Sequence, residues 1–353
     1  YTQAQMLGVG PMKGADPIAL KFPFPGVTAL KGAVAEANIK IAAENRAATY
    51  RNTISSIQET FWQLRFTHQA RQITKETLDL LRHLEEVATT RYKSGKTSYQ
   101  DVAKIQIEHQ TLAEELVNWQ QRQRAQEQRL LALLDLGGRI NLAPPVMTAP
   151  SLKVPTRPTL SQIALEKRQE LRHLRSTVDK MEHMILMAET MLQPTYGPNL
   201  SRYENRPVQA VGSGAAKATF DVTTTAQRGA GLPKMPWYGT DDAYLRETRQ
   251  KLLALRSDLA DAEAQTRFMV EDGWRALDQA VREEKLYRRS VVDLSETSLT
   301  VSTREYEAGK IPFAEVISSH TTWLKSRLTL ARKQSDIGEA RARLLRVVGG
   351  IWP

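Results

Sequence analysis

The chain states one pattern twice, and a repeat limits the folds open to it more than any other property. Arg91-Tyr92-Lys93-Ser94-Gly95-Lys96-Thr97-Ser98-Tyr99-Gln100-Asp101-Val102 is answered by Glu305-Tyr306-Glu307-Ala308-Gly309-Lys310-Ile311-Pro312-Phe313-Ala314-Glu315-Val316 at a spacing of 214. Tyr92 pairs with Tyr306, Gly95 with Gly309, Lys96 with Lys310, Tyr99 with Phe313 and Asp101 with Glu315. Upstream, Phe22-Pro23-Phe24-Pro25-Gly26 pairs with Met235-Pro236-Trp237-Tyr238-Gly239 at 213; downstream, Leu136-Gly137-Gly138 pairs with Val348-Gly349-Gly350 at 212. The chain therefore divides into a first repeat, 1–138, a linker, 139–158, and a second repeat, 159–353. Pro144, Pro145, Pro150, Pro155 and Pro158 mark the linker.

Between these landmarks the pattern is helical. From 27 to about 91 there is no proline, and Tyr50, Ile54, Ile57, Phe61 and Leu64 step by four and three, the spacing of a packed helix seam. At ~1.5 Å per residue such a helix would run roughly 100 Å, far beyond globular norms. It breaks at Ser94-Gly95, where glycine can close a helix in the left-handed conformation. A second helix, about 98–137, carries Val102, Ile105, His109, Leu112, Leu116 and Trp119 on its seam, and a third, about 161–191, carries Leu171, Leu174, Val178, Met181 and Ile185. The stretch 193–237 loses the helical period and reads as a β-hairpin, with strands over about 194–203 and 217–225. A second proline-free helix then spans 241 to about 307, with Leu252, Leu255 and Leu259 on its seam, and a last helix, 312–348, opens on proline. The second repeat has a short helix and a strand ahead of Pro236, whereas little precedes Pro23. The counterpart, about 30–50 residues, is expected upstream of Tyr1.

Composition removes several classes. A mean hydropathy of −0.43 and the lack of any ~18-residue apolar run exclude a helical membrane protein but leave a β-barrel open. The net charge is +10, yet the bases are dispersed among acids without interleaved stacking aromatics, a poor match to a nucleic-acid binder. With no cysteine there are no disulfides or thiolate sites. No phosphate loop, nucleophile elbow or HExxH pattern is present, so no enzyme and no cofactor are expected, and energy for any transport must come from a partner. His109 and His320 lie on apolar seams beside Trp119 and Trp323 and read as packed residues, not metal ligands.

These landmarks resemble the outer membrane efflux protein (TolC) family, whose pattern is a doubled unit of helix, strand, strand, long helix and helix. Tyr306-Glu307-Ala308-Gly309 followed by Phe313-Ala314-Glu315-Val316 is similar to the family's helix-tip motif. Arg168-Gln169-Glu170-Leu171 resembles the opening of its repeat helix. Phe22-Pro23-Phe24-Pro25-Gly26 is similar to the strand exit of the heavy-metal and cation efflux branch. The resemblance implies a mainly α protein with a small β part: a duplicated long-helix α-barrel, with β-hairpins contributing to a trimeric outer-membrane β-barrel.

On that resemblance the chain would be the outer-membrane exit duct of a tripartite efflux system, a passive gated channel with most of its length in the periplasm. Its partners would be two further copies of itself, a periplasmic adaptor, an inner-membrane transporter and outer-membrane lipid. The family places Asp101, Tyr306, Glu315 and Ser318 at the gate, with the acid at Glu315 in a ring that favours cations. The tips Gly95, Lys96, Thr97, Gly309, Lys310 and Ile311 would present themselves to adaptor hairpins, beyond capping helices. Phe22, Phe24, Trp237 and Tyr238 would pack at a bend or form an interfacial girdle. Where relatives place a base two residues after the tip glycine, this chain has Ile311, so Arg91, Lys96, Arg304 or Lys310 would have to take over any closing contact. A type I protein secretion duct of the same fold, or a soluble extended coiled-coil scaffold, are the alternatives.

Overall fold

The computed structural model describes residues 27–137, 155–192, 195–201, 221–227 and 243–350. Its elements are α1 (Val27–Lys93), α2 (Tyr99–Leu133), α3 (Arg157–Lys167), α4 (Gln169–Leu192), β1 (Thr195–Ser201), β2 (Asp221–Gln227), α5 (Ala243–Leu286), a π-helical turn (Tyr287–Val291), α6 (Val292–Glu307) and α7 (Phe313–Val348). The 67 residues of α1 form one uninterrupted helix, as its proline-free sequence predicts. β1 and β2 pair antiparallel from Thr195 opposite Gln227 to Ser201 opposite Asp221, within the stretch where the helical period lapses. None of the helices described is long and apolar enough to cross a membrane.

The chain divides into two compact units. The first combines Tyr1–Asn45 with Glu170–Ala262. In it Ile185 and Ala188 of α4 bury against Leu245 of α5, with Tyr244 and Leu252 alongside. Glu44 of α1 pairs with Arg172 of α4 at 2.6 Å. The second combines Arg46–Gln169 with Glu263–Pro353 and holds most of the described core. One cluster joins Leu78, Leu81 and Leu84 of α1 to Val102, Ile105 and Leu112 of α2, Leu299 and Tyr306 of α6, and Phe313, Val316 and Leu324 of α7. Each fully buried leucine of this kind contributes about 2 kcal/mol by leaving water. A second cluster packs Leu160 and Ala164 of α3 with Val270 and Leu277 of α5 and Leu344 and Val348 of α7.

Four sequence readings are corrected. The helix expected over 161–191 is two helices, parted where Arg168 turns extended at φ −64°, ψ 124°. The chain bends there around the end of α7: a Cβ on Gly349 would lie 2.8 Å from the backbone of Lys167, and Gln169 donates to the Gly349 carbonyl at 2.9 Å. The helix expected over 241–307 is interrupted by the π-helical turn. The pairing of Gly137 with Gly349 at 212 is two residues out. The amide of Leu136 closes on the Leu131 carbonyl as that of Gly350 closes on Leu345, and Asp135 at φ 53° stands where Gly349 does, keeping 214 from the tips onward.

The fourth concerns the seam of α1. Leu64 is buried, but Tyr50 is 69% exposed and Ile54 is also exposed. The buried residues of this stretch also include Arg51, Ser55, Thr60 and Thr67, which do not share one face. Helical period reveals that a stripe exists but not which neighbour covers it, and within one chain nothing described covers Tyr50.

Candidate functional site

The two copies of the repeated motif fold into the same turn, atom for atom in their hydrogen bonds. After α1, Gly95 takes φ +72°, its amide donates to Tyr92 O at 2.9 Å, and the Lys96 amide donates to Arg91 O at 2.9 Å. After α6, Gly309 takes φ +78°, donates to Tyr306 O at 2.8 Å, and Lys310 donates to Glu305 O at 2.9 Å. This crossed pair of bonds satisfies carbonyls that a helix end leaves open, and the left-handed φ suits glycine. Two residues on, Thr97-Ser98 and Ile311-Pro312 lead into α2 and α7, with Ser98 and Pro312 extended at the N-cap. The Asp101 amide then donates to Ser98 O at 3.2 Å and that of Glu315 to Pro312 O at 3.1 Å. Both acids thus sit in the first turn of a helix, beside the positive end of its dipole.

Identical backbones carry different surroundings. The rings of Tyr306 and Phe313 meet edge to face at 5.0 Å and are almost wholly buried. Their counterparts Tyr92 and Tyr99 lie 5.7 Å apart and stand 45% and 61% exposed. The second pair belongs to the apolar core, and Arg91 is added to it. Its guanidinium sits 4.8 Å from the Tyr306 ring centroid and donates from Nη1 to the carbonyls of Tyr306, at 2.8 Å, and Glu307, at 2.7 Å. A cation on the last carbonyls of α6 is favoured by the negative end of its dipole, and its planar head suits the aromatic face. A Cβ on Gly309 would lie 3.4 Å from Nη2, so Arg91 closes right against the second tip.

Of the gate residues read from the sequence, the structure gathers Tyr306 into this contact and leaves the others apart from it. The Asp101 carboxylate accepts a short hydrogen bond from the Thr97 hydroxyl, holding its own turn. The Tyr306 hydroxyl is buried without a described partner. Glu315 and Ser318 are exposed on the first turns of α7. At the tips Lys96 and Lys310 are exposed, whereas Ile311 is half-buried against the core. Phe22, Phe24, Trp237 and Tyr238 lie outside the described residues. His320 is fully buried with neither ring nitrogen hydrogen-bonded, and burial pushes it down to about 4. Among the described residues no cluster of His, Asp and Glu could hold a metal ion.

The sequence reading left one feature open and missed another. Arg91 was only one of four candidate bases, since its repeat partner, Glu305, has the opposite charge. The π-helical turn had left a trace, the change in spacing from 213 to 214 between the landmarks.

Known proteins can now be set beside this geometry. The outer membrane efflux protein family model matches residues 19–135. The resemblance read from the repeat is borne out. That family consists of channels, not enzymes. No curated protein sequence matches the chain. Among solved structures, a membrane protein from Pseudomonas aeruginosa superposes with a TM-score of 0.78 at 15% identity, covering 95% of this chain and 74% of that one. The outer membrane protein VceC from Vibrio cholerae gives 0.76 at 16%, covering 93% and 77%. The open state of the MtrE outer membrane channel of Neisseria gonorrhoeae gives 0.71 at 14%, covering 92% and 72%. At such identities the likeness is one of fold, and the long-helix architecture of these channels is the architecture of this chain.

Proposed function

We propose that the chain is an outer-membrane efflux duct, a passive gated channel whose two matched tips form its periplasmic mouth. The observation that carries this reading is the doubled tip turn on a fold shared with outer-membrane channels. A scaffold has no need for two identical glycine-closed turns at one end and a β-hairpin in the same repeat. The duct is a ring of copies, three on the family's pattern. Within one chain the second aromatic pair is covered by Arg91 of the first tip; between chains, the open pair Tyr92 and Tyr99 receives the second tip of the next copy. Head-to-tail contacts of this kind close into rings.

In this duct Gly95, Lys96, Thr97, Gly309, Lys310 and Ile311 meet the hairpins of a periplasmic adaptor, which links the mouth to an inner-membrane transporter. Asp101, Tyr306, Glu315 and Ser318 belong to the gate, where exposed Glu315 side chains, repeated around the ring, favour cations. The protein sits in the outer membrane with its helices in the periplasm, and the neighbouring pump decides whether cargo is small or a protein. Reconstitution into planar lipid bilayers tests the reading. Detergent-extracted protein is expected to give discrete, cation-selective conductance steps, and Glu315→Gln to move the reversal potential toward zero. A protein that needs no detergent and gives no steps would be the coiled-coil scaffold.

A further inference from the structure

Inside the chain the two repeats meet along one seam, α1 against α7. The Ser335 hydroxyl donates to the Trp62 carbonyl at 2.6 Å, and that of Ser55 to the Ala342 carbonyl at 3.3 Å. Two ion pairs run along it, Arg327 with Glu76 at 2.8 Å and Arg343 with Glu59 at 3.2 Å. On α7, Leu324, Ala331, Ser335 and Ala342 are buried; 214 residues earlier on α2, Gln110, Val117, Gln121 and Gln128 are all exposed. Ser55 of α1 is buried, and 213 residues later Phe268 of α5 is 71% exposed. Repetition thus builds a second pair of seam faces, on α2 and on α5–α6, and no described residue covers those positions.

Their charges decide what fits. Glu59 and Arg343 are answered by Asp272 and Arg129, acid and base in the same order. Glu76 and Arg327 are answered in reverse. At the π-helical turn, where the spacing passes from 213 to 214, Glu76 falls on Arg289 and Ser290, and Arg327 falls on Ala113 with Glu114 next to it. Glu114, Arg289 and Arg129 are exposed, and among the described residues none of the three has an ion-pair partner.

We infer that α2 of one copy packs on α5–α6 of the next copy of this chain as α7 packs on α1, pairing Glu114 with Arg289 and Arg129 with Asp272, and that the reversed pair fixes the order of repeats around the ring. A seam between two first repeats sets Glu114 against Glu76. One between two second repeats sets Arg327 against Arg289. Opposed like charges count against both. The unreversed pair holds any of these seams equally, because each repeat carries its acid on the long helix and its base on the helix after the tip. The reversal alone therefore carries the choice, and only alternating repeats pair every charge.

This order rests on the ring proposed above, so assembly of the unaltered protein in detergent is measured first, by analytical ultracentrifugation. A single chain at every concentration overturns ring and seam together. Given a ring, Glu114→Arg and Arg289→Glu are each expected to need about ten-fold more protein to assemble, and the two together to return to the wild-type range. A double variant no better than the single ones, or single ones that assemble as wild type does, overturns the pair and leaves the ring standing. The cysteine-free chain lets the order of repeats be read by a bifunctional thiol cross-linker on co-assembled copies. Ala113→Cys chains mixed with Ser290→Cys chains are expected to give covalent dimers, and Ala113→Cys chains mixed with Lys75→Cys chains to give none. When every chain also carries Glu114→Arg and Arg289→Glu, both seams have the same polarity and the second mixture is expected to give dimers too. Dimers from that mixture without the exchange overturn the alternation. Their absence with it shows that charge does not set the order.

Discussion

His320 ties the stability of this fold to acid. It sits on α7 one turn from buried Val316 and one turn from buried Leu324, wholly removed from solvent, with both nitrogens unpartnered. Burial penalises the charged form and lowers it from 6.5 to about 4. The sign follows directly. Above pH 6.5 the ring is neutral folded and unfolded and adds no pH dependence. Between 6.5 and 4 only the unfolded chain takes the proton, so stability falls as pH falls, by about 3 kcal/mol across the window. Below 4 the loss is complete. His320→Leu should remove this component, so the drop in Tm between pH 7 and pH 4.5 should shrink relative to wild type. An equal drop in both proteins would mean that His320 takes its proton as readily in the folded chain as in the unfolded one.

At the scale of elements, the contact between α1 and α7 is set by a missing side chain. A Cβ on Gly338 would fall 1.9 Å from the indole of Trp62, so the two helices approach as closely as a glycine permits. The indole is held from elsewhere: Phe61 meets it edge to face at 5.8 Å, Arg65 lies over it at 5.4 Å, and Ser335 donates to the Trp62 carbonyl at 2.6 Å. Gly338→Ala must therefore displace a packed ring and should destabilise by about 3 kcal/mol, more than it gains from better helix propensity. Trp62→Ala in the same chain should recover part of that loss, a coupling that a double-mutant cycle of thermal stabilities reads. Additive losses would mean the indole moves aside freely. Nothing in the sequence around Gly338 signals this contact, because a glycine inside a helical period does not announce its neighbour. The helices themselves, their glycine turns and the hairpin stretch are legible, since proline-free periods and φ-permissive residues act locally. Arg168 and the π-helical turn are not, because both answer to the register of another helix. The clamp on the second tip shares that origin: Arg91 is chosen by what α6 presents, and it stands before a tyrosine and four residues ahead of a tip glycine just as Glu305 does.

At the scale of the molecule, one chain leaves apolar side chains where a single folded unit would bury them. Tyr50, Ile54, Tyr92, Tyr99, Ile107, Leu294 and Val301 are all exposed. Scattered apolar residues on a surface need no account, but here the repeat supplies a reference for what covers them. Tyr306 and Phe313 show the covered state of the same turn that leaves Tyr92 and Tyr99 open. In the ring proposed above, the second tip of a neighbouring copy would take the place that Arg91 and α1 take within the chain. It would bring Glu305 where Arg91 stands, so this seam would lack the double grip on helix-end carbonyls and depend more on the rings. Tyr92→Ser with Tyr99→Ser should therefore weaken the assembly, seen by analytical ultracentrifugation in detergent as a shift toward single chains at about ten-fold higher protein concentration than for wild type. Tyr306→Ser with Phe313→Ser acts inside the chain and should lower Tm before it alters assembly. If the first pair of substitutions leaves the oligomer intact while the second dissolves it, the roles of the two seams are reversed and the ring closes through the second tip's buried pair.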